Sequence, residues 1–183
     1  MICFLIRHGK DDDSVRGGWS DSLLTAEGVK QVERLSAEIR SANIDISMIY
    51  SSDLPRAMQT TEILSSALSV PITKMPEFRE ANNGVLAGMN NQIAEKQYPG
   101  MYWSALDWDQ SYQDGESPHQ FYLRVANRWR SFRNTVQCSD HNVILVTHGG
   151  VINVIQCIEH GIAYSNQSNP FPAGNAEMIC IEL

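Results

Sequence analysis

The sequence predicts an α/β fold, a three-layer sandwich in which a largely parallel central sheet is flanked by helices. Compact apolar runs such as Ile2–Ile6 and Asn142–Thr147 read as strands buried on both faces. Between the strand candidates lie segments whose apolar residues recur at three- and four-residue spacing, the period of amphipathic helices. The two kinds of segment alternate along the chain, as a sheet with helical crossovers requires.

Ile2–Ile6 ends abruptly at Arg7-His8-Gly9, so polar groups emerge at the C-terminal end of a strand, where α/β folds place their sites. With Thr25 as N-cap, Val29, Val32, Leu35 and Ile39 stripe a helix to about Ser41, and Ile46–Tyr50 follows as a second strand. Ser51-Ser52-Asp53-Leu54-Pro55 combines cap candidates with a proline suited to a first turn. The next helix therefore runs from Arg56 to Leu68, with Arg56 near its N-terminus. Ile72–Met75 is read as a short strand and Pro76–Gln92 mainly as loop. Ser117-Pro118 starts a helix with a core stripe of Phe121, Val125, Trp129, Phe132 and Val136. Asn142–Thr147 is again followed by His-Gly-Gly, Val151–Glu159 is a helix closed by Gly161, and Met178–Leu183 is a final strand. The stretch 92–115, with Tyr98, Tyr102, Trp103, Trp108 and Tyr112, fits either a lid over the site or a packed insertion.

The 183 residues show no repeat and no break in composition, so one domain is expected over 1–183. A hydrophobic fraction of 43% excludes intrinsic disorder. The net charge of −7, with no Lys/Arg run, argues against nucleic acid and anionic membrane as partners and leaves a small molecule. The apolar run after Met1 is too short for a signal peptide or a membrane span, so a cytoplasmic location is expected. Cys3, Cys138, Cys157 and Cys180 have no CxxC spacing, and three of them sit in apolar stretches. They read as structural, reduced thiols rather than as metal ligands or disulfides.

His8 and His148 each follow a buried strand directly and each precede glycine, so both side chains can emerge at neighbouring sheet ends. Arg7 adjoins the first, and Arg56 opens a helix whose N–H groups also favour an anion. A metal cation would be repelled by these guanidinium groups, whereas a phosphate gains charge-assisted, bidentate hydrogen bonds. The constellation is therefore a phosphate site, and zinc fits it poorly. His119, His141 and His160 lack such a context and read as surface or capping residues.

These residues resemble a known family. The chain is similar to the histidine phosphatase superfamily, also called phosphoglycerate-mutase-like, whose Arg-His-Gly signature is met by Arg7-His8-Gly9. Leu24-Thr25-Ala26-Glu27-Gly28 resembles its Leu-Thr-x-x-Gly helix start, and Ser51 to Thr61 its Ser-x-Leu-x-Arg-Ala-x-Gln-Thr segment. Glu80 with Gly84 and Gly88, Gly115-Glu116-Ser117 with Arg124, and Val146-Thr147-His148-Gly149-Gly150 resemble further blocks in the family's order. The resemblance implies that His8 is the nucleophile, that Arg7, Arg56 and His148 bind phosphoryl oxygens, and that Glu80 is the proton donor. Asp53, Glu116 or an acid of Asp11-Asp12-Asp13 remain alternatives to Glu80. Ser14 and Gly149 are further candidate phosphate contacts.

Each implied role makes chemical sense. Imidazole attacks phosphorus only when unprotonated, and Arg7 and Arg56 disfavour a positive His8. Donors from the two arginines and a protonated His148 take the place of Mg²⁺, so no metal and no cofactor is required. A carboxyl group protonates the departing alkoxide and then activates water. The sequence departs from the family at Lys10, commonly acidic or an amide, and at Asn83 and Ala87, where aromatic or acidic residues are frequent. The leaving-group side of the pocket is thus expected to differ. The resulting expectation is a metal-independent phosphomonoesterase acting through phosphohistidine on a small phosphorylated metabolite. A phosphoglycerate-type mutase and a non-catalytic phosphate-ligand-binding protein are the alternatives.

Overall fold

The computed structural model describes residues 1–137 and 141–183. Cys138 lies outside the described residues. Five strands form one sheet in the order β3-β2-β4-β1-β5. They are β1 (Ile2–Arg7), β2 (Ile46–Ser51), β3 (Ile72–Lys74), β4 (Asn142–Thr147) and β5 (Met178–Glu182). β1, β2, β3 and β4 pair in parallel, while β5 runs antiparallel along β1. The helices are α1 (Ala26–Ser41), α2 (Pro55–Leu68), α3 (Asn91–Gln97), α4 (Pro118–Val136) and α5 (Gly149–Glu159).

Alternation along the strands divides the core into two layers. Cys3 and Leu5 of β1, with Val143 and Leu145 of β4, face α4 and α5 and pack with Phe121, Val125, Trp129 and Ile155. Phe4, Ile6, Ile144 and Val146 face the other way, onto Val32, Leu35 and Ile39 of α1 and Ala57 and Leu64 of α2. The predicted sandwich is what forms, with helices on both faces of the sheet. Among the described residues no helix is long and apolar enough to cross a membrane.

The helix starts follow their predicted chemistry in two cases. The Gly28 backbone N–H donates to Thr25 Oγ1 at 3.1 Å at the start of α1, and Ser117 with Gln120 forms a capping box at the start of α4. At α2 the expected cap is not used. Leu54 occupies the N-cap position without a side-chain bond, because Ser52 and Asp53 are engaged elsewhere. Ser52 Oγ bonds His148 Nε2 at 2.8 Å, and Asp53 holds Arg79 in a bidentate pair at 2.6 Å. Gly161, at φ +64°, closes α5 in the left-handed conformation that glycine adopts without penalty. The expected loop of 76–92 contains two 3₁₀ turns, Pro76–Phe78 and Gly84–Leu86. Of the thiols expected to be buried, Cys3 and Cys157 are, but Cys180 is exposed, since β5 is an edge strand that turns Ile181 inward.

Ala94, Leu106 and Tyr112 of the stretch 92–115 are buried together with Leu86 in a small core. Asn166 Nδ2 donates to the carbonyls of Trp103 at 2.7 Å and Leu106 at 2.9 Å, tying the stretch to the C-terminal loop.

Candidate active site

The register of the two central strands brings the histidines together. Arg7 of β1 stands opposite Thr147 of β4, and the His8 backbone N–H donates to Thr147 O at 3.0 Å, so His8 and His148 leave adjacent strand ends. Their ring centroids are 5.1 Å apart. A cleft of about 370 Å³ opens there, lined by Arg7, His8, Asp11, Arg16, Arg56 and Glu80 among others. Four of the five principal predicted residues thus line one cleft, and His148 lies beneath it, fully buried.

His8 is 4% exposed. Its Nδ1 lies 2.8 Å from Gly9 O, an acceptor only, so Nδ1 carries the hydrogen and Nε2 the lone pair. Arg56 Nε donates to that Nε2 at 3.2 Å. Burial, then the Arg56 charge, push the imidazole down to about 3 against the upward pull of the Gly9 hydrogen bond. The arginines were expected to keep His8 neutral, but desolvation leads and they reinforce it. The loop after His8 is pinned by the Gly9 N–H donating to Thr60 Oγ1 at 3.0 Å.

Arg56 is 2% exposed and sits in the first turn of α2, with its guanidinium donating to Gly18 O at 2.8 Å and Ser20 Oγ at 3.3 Å. Asp11 Oδ2 approaches Arg56 Nε at 3.3 Å. Burial raises the Asp11 carboxyl while Arg56 pulls it down. Arg7 donates through Nη1 to Ala173 O at 2.7 Å, and its Nε is buried without a protein partner. His148 is likewise half-satisfied: Nε2 meets Ser52 Oγ, and Nδ1 is buried with no partner. Burial, Arg56 and His8 hold His148 well below its ordinary value. The expectation of a protonated His148 is thus opposed by its burial and by the neighbouring cations, which disfavour a positive imidazole.

Glu80 accepts hydrogen bonds from the Gly150 N–H at 3.1 Å and the Ala81 N–H at 3.0 Å, so its carboxylate caps the start of α5. Its loop is clamped by Arg124, which donates to the carbonyls of Glu77, Arg79 and Glu80 and is held by Glu116 at 2.6 Å. Of the other acids, Asp53 and Glu116 are tied to Arg79 and Arg124. Ser14 is exposed and its carbonyl accepts from the Asn91 N–H, so it is not brought to the cleft. Gly149 lies against Arg7, with an added Cβ falling 3.7 Å from its guanidinium carbon. Lys10 pairs with Glu27 at 2.8 Å on the exposed side of the loop. His119 pairs with Asp109 and His160 stacks on Phe171, as residues outside the site.

Three contributors went unread in the sequence. Ser52 looked like a helix cap and instead orients His148. Asp11 was one acid of a run of three and is the one that faces Arg56. Gly150 was the less conspicuous glycine of His-Gly-Gly, yet a Cβ there would lie 2.3 Å from Glu80 Oε1. Gly150→Ala is expected to push the Glu80 carboxylate aside while leaving α5 folded. Turnover of an alkyl phosphate should then fall by about 10²-fold with an unchanged melting temperature. Unchanged turnover would mean that the position of Glu80 does not matter.

The profile of the histidine phosphatase superfamily (branch 1) matches residues 3–183. The chain belongs to that superfamily. Within it, the "Probable phosphoglycerate mutase GpmB" of Proteus mirabilis is 33% identical over 152 residues, spanning 80% of this chain and 68% of that protein. The broad-specificity phosphatase YOR283W of Saccharomyces cerevisiae is 30% identical over 162 residues, 83% of this chain and 67% of that one. The fold of this superfamily member is that of the alpha-ribazole phosphatase from Shigella flexneri, with a TM-score of 0.83 at 25% identity, covering 100% of this chain and 91% of the other.

Proposed function

We propose that the chain is a metal-independent phosphomonoesterase that forms a phosphohistidine on His8, using a small phosphorylated metabolite. The observation that carries this reading is the state of His8: its Nδ1 hydrogen is committed to Gly9 O, and its neutral Nε2 faces the cleft beside Arg56. Nε2, freed as the Arg56 Nε–H turns to a phosphoryl oxygen, attacks phosphorus, the bond from phosphorus to the ester oxygen breaks, and Glu80, entering the step protonated, gives that oxygen its proton. Glu80 then takes a proton from water, whose oxygen attacks the phosphohistidine and releases inorganic phosphate. Arg7, Arg56 and His148 hold the phosphoryl oxygens, and the unpartnered Arg7 Nε and His148 Nδ1 are free to serve as donors.

Relatives carry both phosphatase and mutase names. Hydrolysis is favoured because a mutase must grip a doubly charged intermediate, whereas Lys10 turns away to Glu27 and the described residues walling the space beyond the phosphate cleft include no Lys or Arg. The buried, reduced Cys3 and Cys157 suit a cytoplasmic setting.

The test is steady-state release of inorganic phosphate from an aryl phosphate in excess chelator. Undiminished hydrolysis is expected. A loss restored by a divalent ion would remove the metal-independent reading. A parallel assay supplies a phosphoglycerate with its bisphosphorylated form, and rapid isomerisation without phosphate release would make the protein a mutase.

A further inference from the structure

Beyond the phosphate cleft lies space for the rest of the substrate. A cavity of about 290 Å³ shares Gly18 and Glu80 with the cleft and is walled by Asn83, Trp103 and Tyr112. A second, of about 230 Å³, continues from Trp103 and Gly150 to Asn153, Tyr164 and Asn166. The described residues that line these two cavities include no Lys, Arg or His, and Glu80 is their only carboxylic acid.

Two of the nearest cations are spoken for. Arg124 is locked to Glu116 at 2.6 Å, and Arg79 to Asp53 at 2.6 Å. Arg16, whose Nε is buried without a partner, lines the phosphate cleft rather than these cavities, with its guanidinium over the Tyr102 ring at 4.5 Å. An anionic leaving group would therefore be enclosed here with no cation in the cavity walls to pair with it.

The walls offer two other things. Trp103 and Tyr112 stack at 6.1 Å and present an aromatic surface, fixed by the Asn166 hydrogen bonds to the Trp103 and Leu106 carbonyls. Asn83 Oδ1 is buried without a hydrogen-bond partner, pressed against Gly18, whose φ of +62° lets the chain pass with no Cβ in the way. A buried acceptor of that kind is satisfied by a hydroxyl or N–H from a ligand.

We infer that the substrate's leaving group is an uncharged, hydroxyl-bearing alcohol with an apolar or aromatic face, of the nucleoside or glycoside class, and that leaving groups carrying a carboxylate or second phosphate are selected against. The inference rests on the phosphomonoesterase reading and adds to it the chemistry of the leaving group.

The experiment compares kcat/KM for glycerol 3-phosphate and 3-phosphoglycerate, which differ by a hydroxymethyl against a carboxylate. An aryl phosphate serves as control; no hydrolysis of it would sink the phosphomonoesterase reading itself. Given that control, glycerol 3-phosphate should be favoured at least about tenfold, a difference of about 1.4 kcal/mol. Asn83→Lys should narrow that ratio by restoring a cation. Trp103→Ala should lower the value for a nucleoside 5′-monophosphate more than that for ribose 5-phosphate. Equal or better use of 3-phosphoglycerate by the unaltered protein overturns the charge selection. Equal losses on both ribose esters in Trp103→Ala overturn the aromatic wall.

Discussion

Replacing His8 with alanine is expected to lower turnover of an aryl phosphate by at least about 10⁴-fold, the scale on which loss of a covalent nucleophile is felt. No other imidazole can substitute. His148 is fully buried with Nε2 held by Ser52, and His119, His141 and His160 lie outside the cleft. The substitution removes the acceptor of the Arg56 Nε–H bond, but Asp11 at 3.3 Å remains to pair with that guanidinium. The fold should survive, and an unchanged circular dichroism spectrum would separate lost chemistry from lost structure. Turnover within tenfold of the unaltered protein would show that phosphorus is attacked by something else.

Arg56→Ala should cost about 10²- to 10³-fold in kcat/KM, as the removal of a preorganised charge-assisted donor does. It should also change the pH profile in a direction that geometry dictates. The His8 pKa is held down to about 3 by burial first and by Arg56 second. Deleting Arg56 removes one of these causes, so the pKa of His8 rises. Attack needs the neutral imidazole, hence the acid limb of kcat/KM moves to higher pH. Arg56→Lys keeps a positive charge but not the directed Nε–H, and should restore the position of the limb more than the rate. A profile that keeps its shape in Arg56→Ala would mean that Arg56 binds phosphate without acting on His8.

Much of this was legible because local pattern and global fold agree. Residues 2–6 of β1 and 143–146 of β4 are apolar throughout, as central strands covered by helices on both faces must be. The Arg-His-Gly and His-Gly-Gly that follow them mark where polar chemistry resumes. Thr25 and Ser117 could be read as caps because capping is settled within four residues. What escaped was non-local. That β4 lies beside β1, and that β5 runs antiparallel along the edge and so exposes Cys180, depends on pairings more than a hundred residues apart. Ser52 has the chemistry of a cap, and only the neighbouring strand end brings His148 to claim it. The same holds for Gly150, whose missing Cβ matters because the Glu80 loop, 70 residues away, folds against it.

The account turns on which atom bears the phosphoryl group. Enzyme mixed with a phosphate monoester and quenched in alkali within one turnover should carry an acid-labile phosphate, which peptide mass spectrometry and phosphorus NMR can assign to a residue and a ring nitrogen. The predicted result is a single modified residue, His8, phosphorylated on Nε2, because Nδ1 is occupied by its hydrogen bond to Gly9 O. Phosphate on Nδ1, on His148 or on any other side chain would contradict the account, as would a burst of inorganic phosphate with no labelled protein.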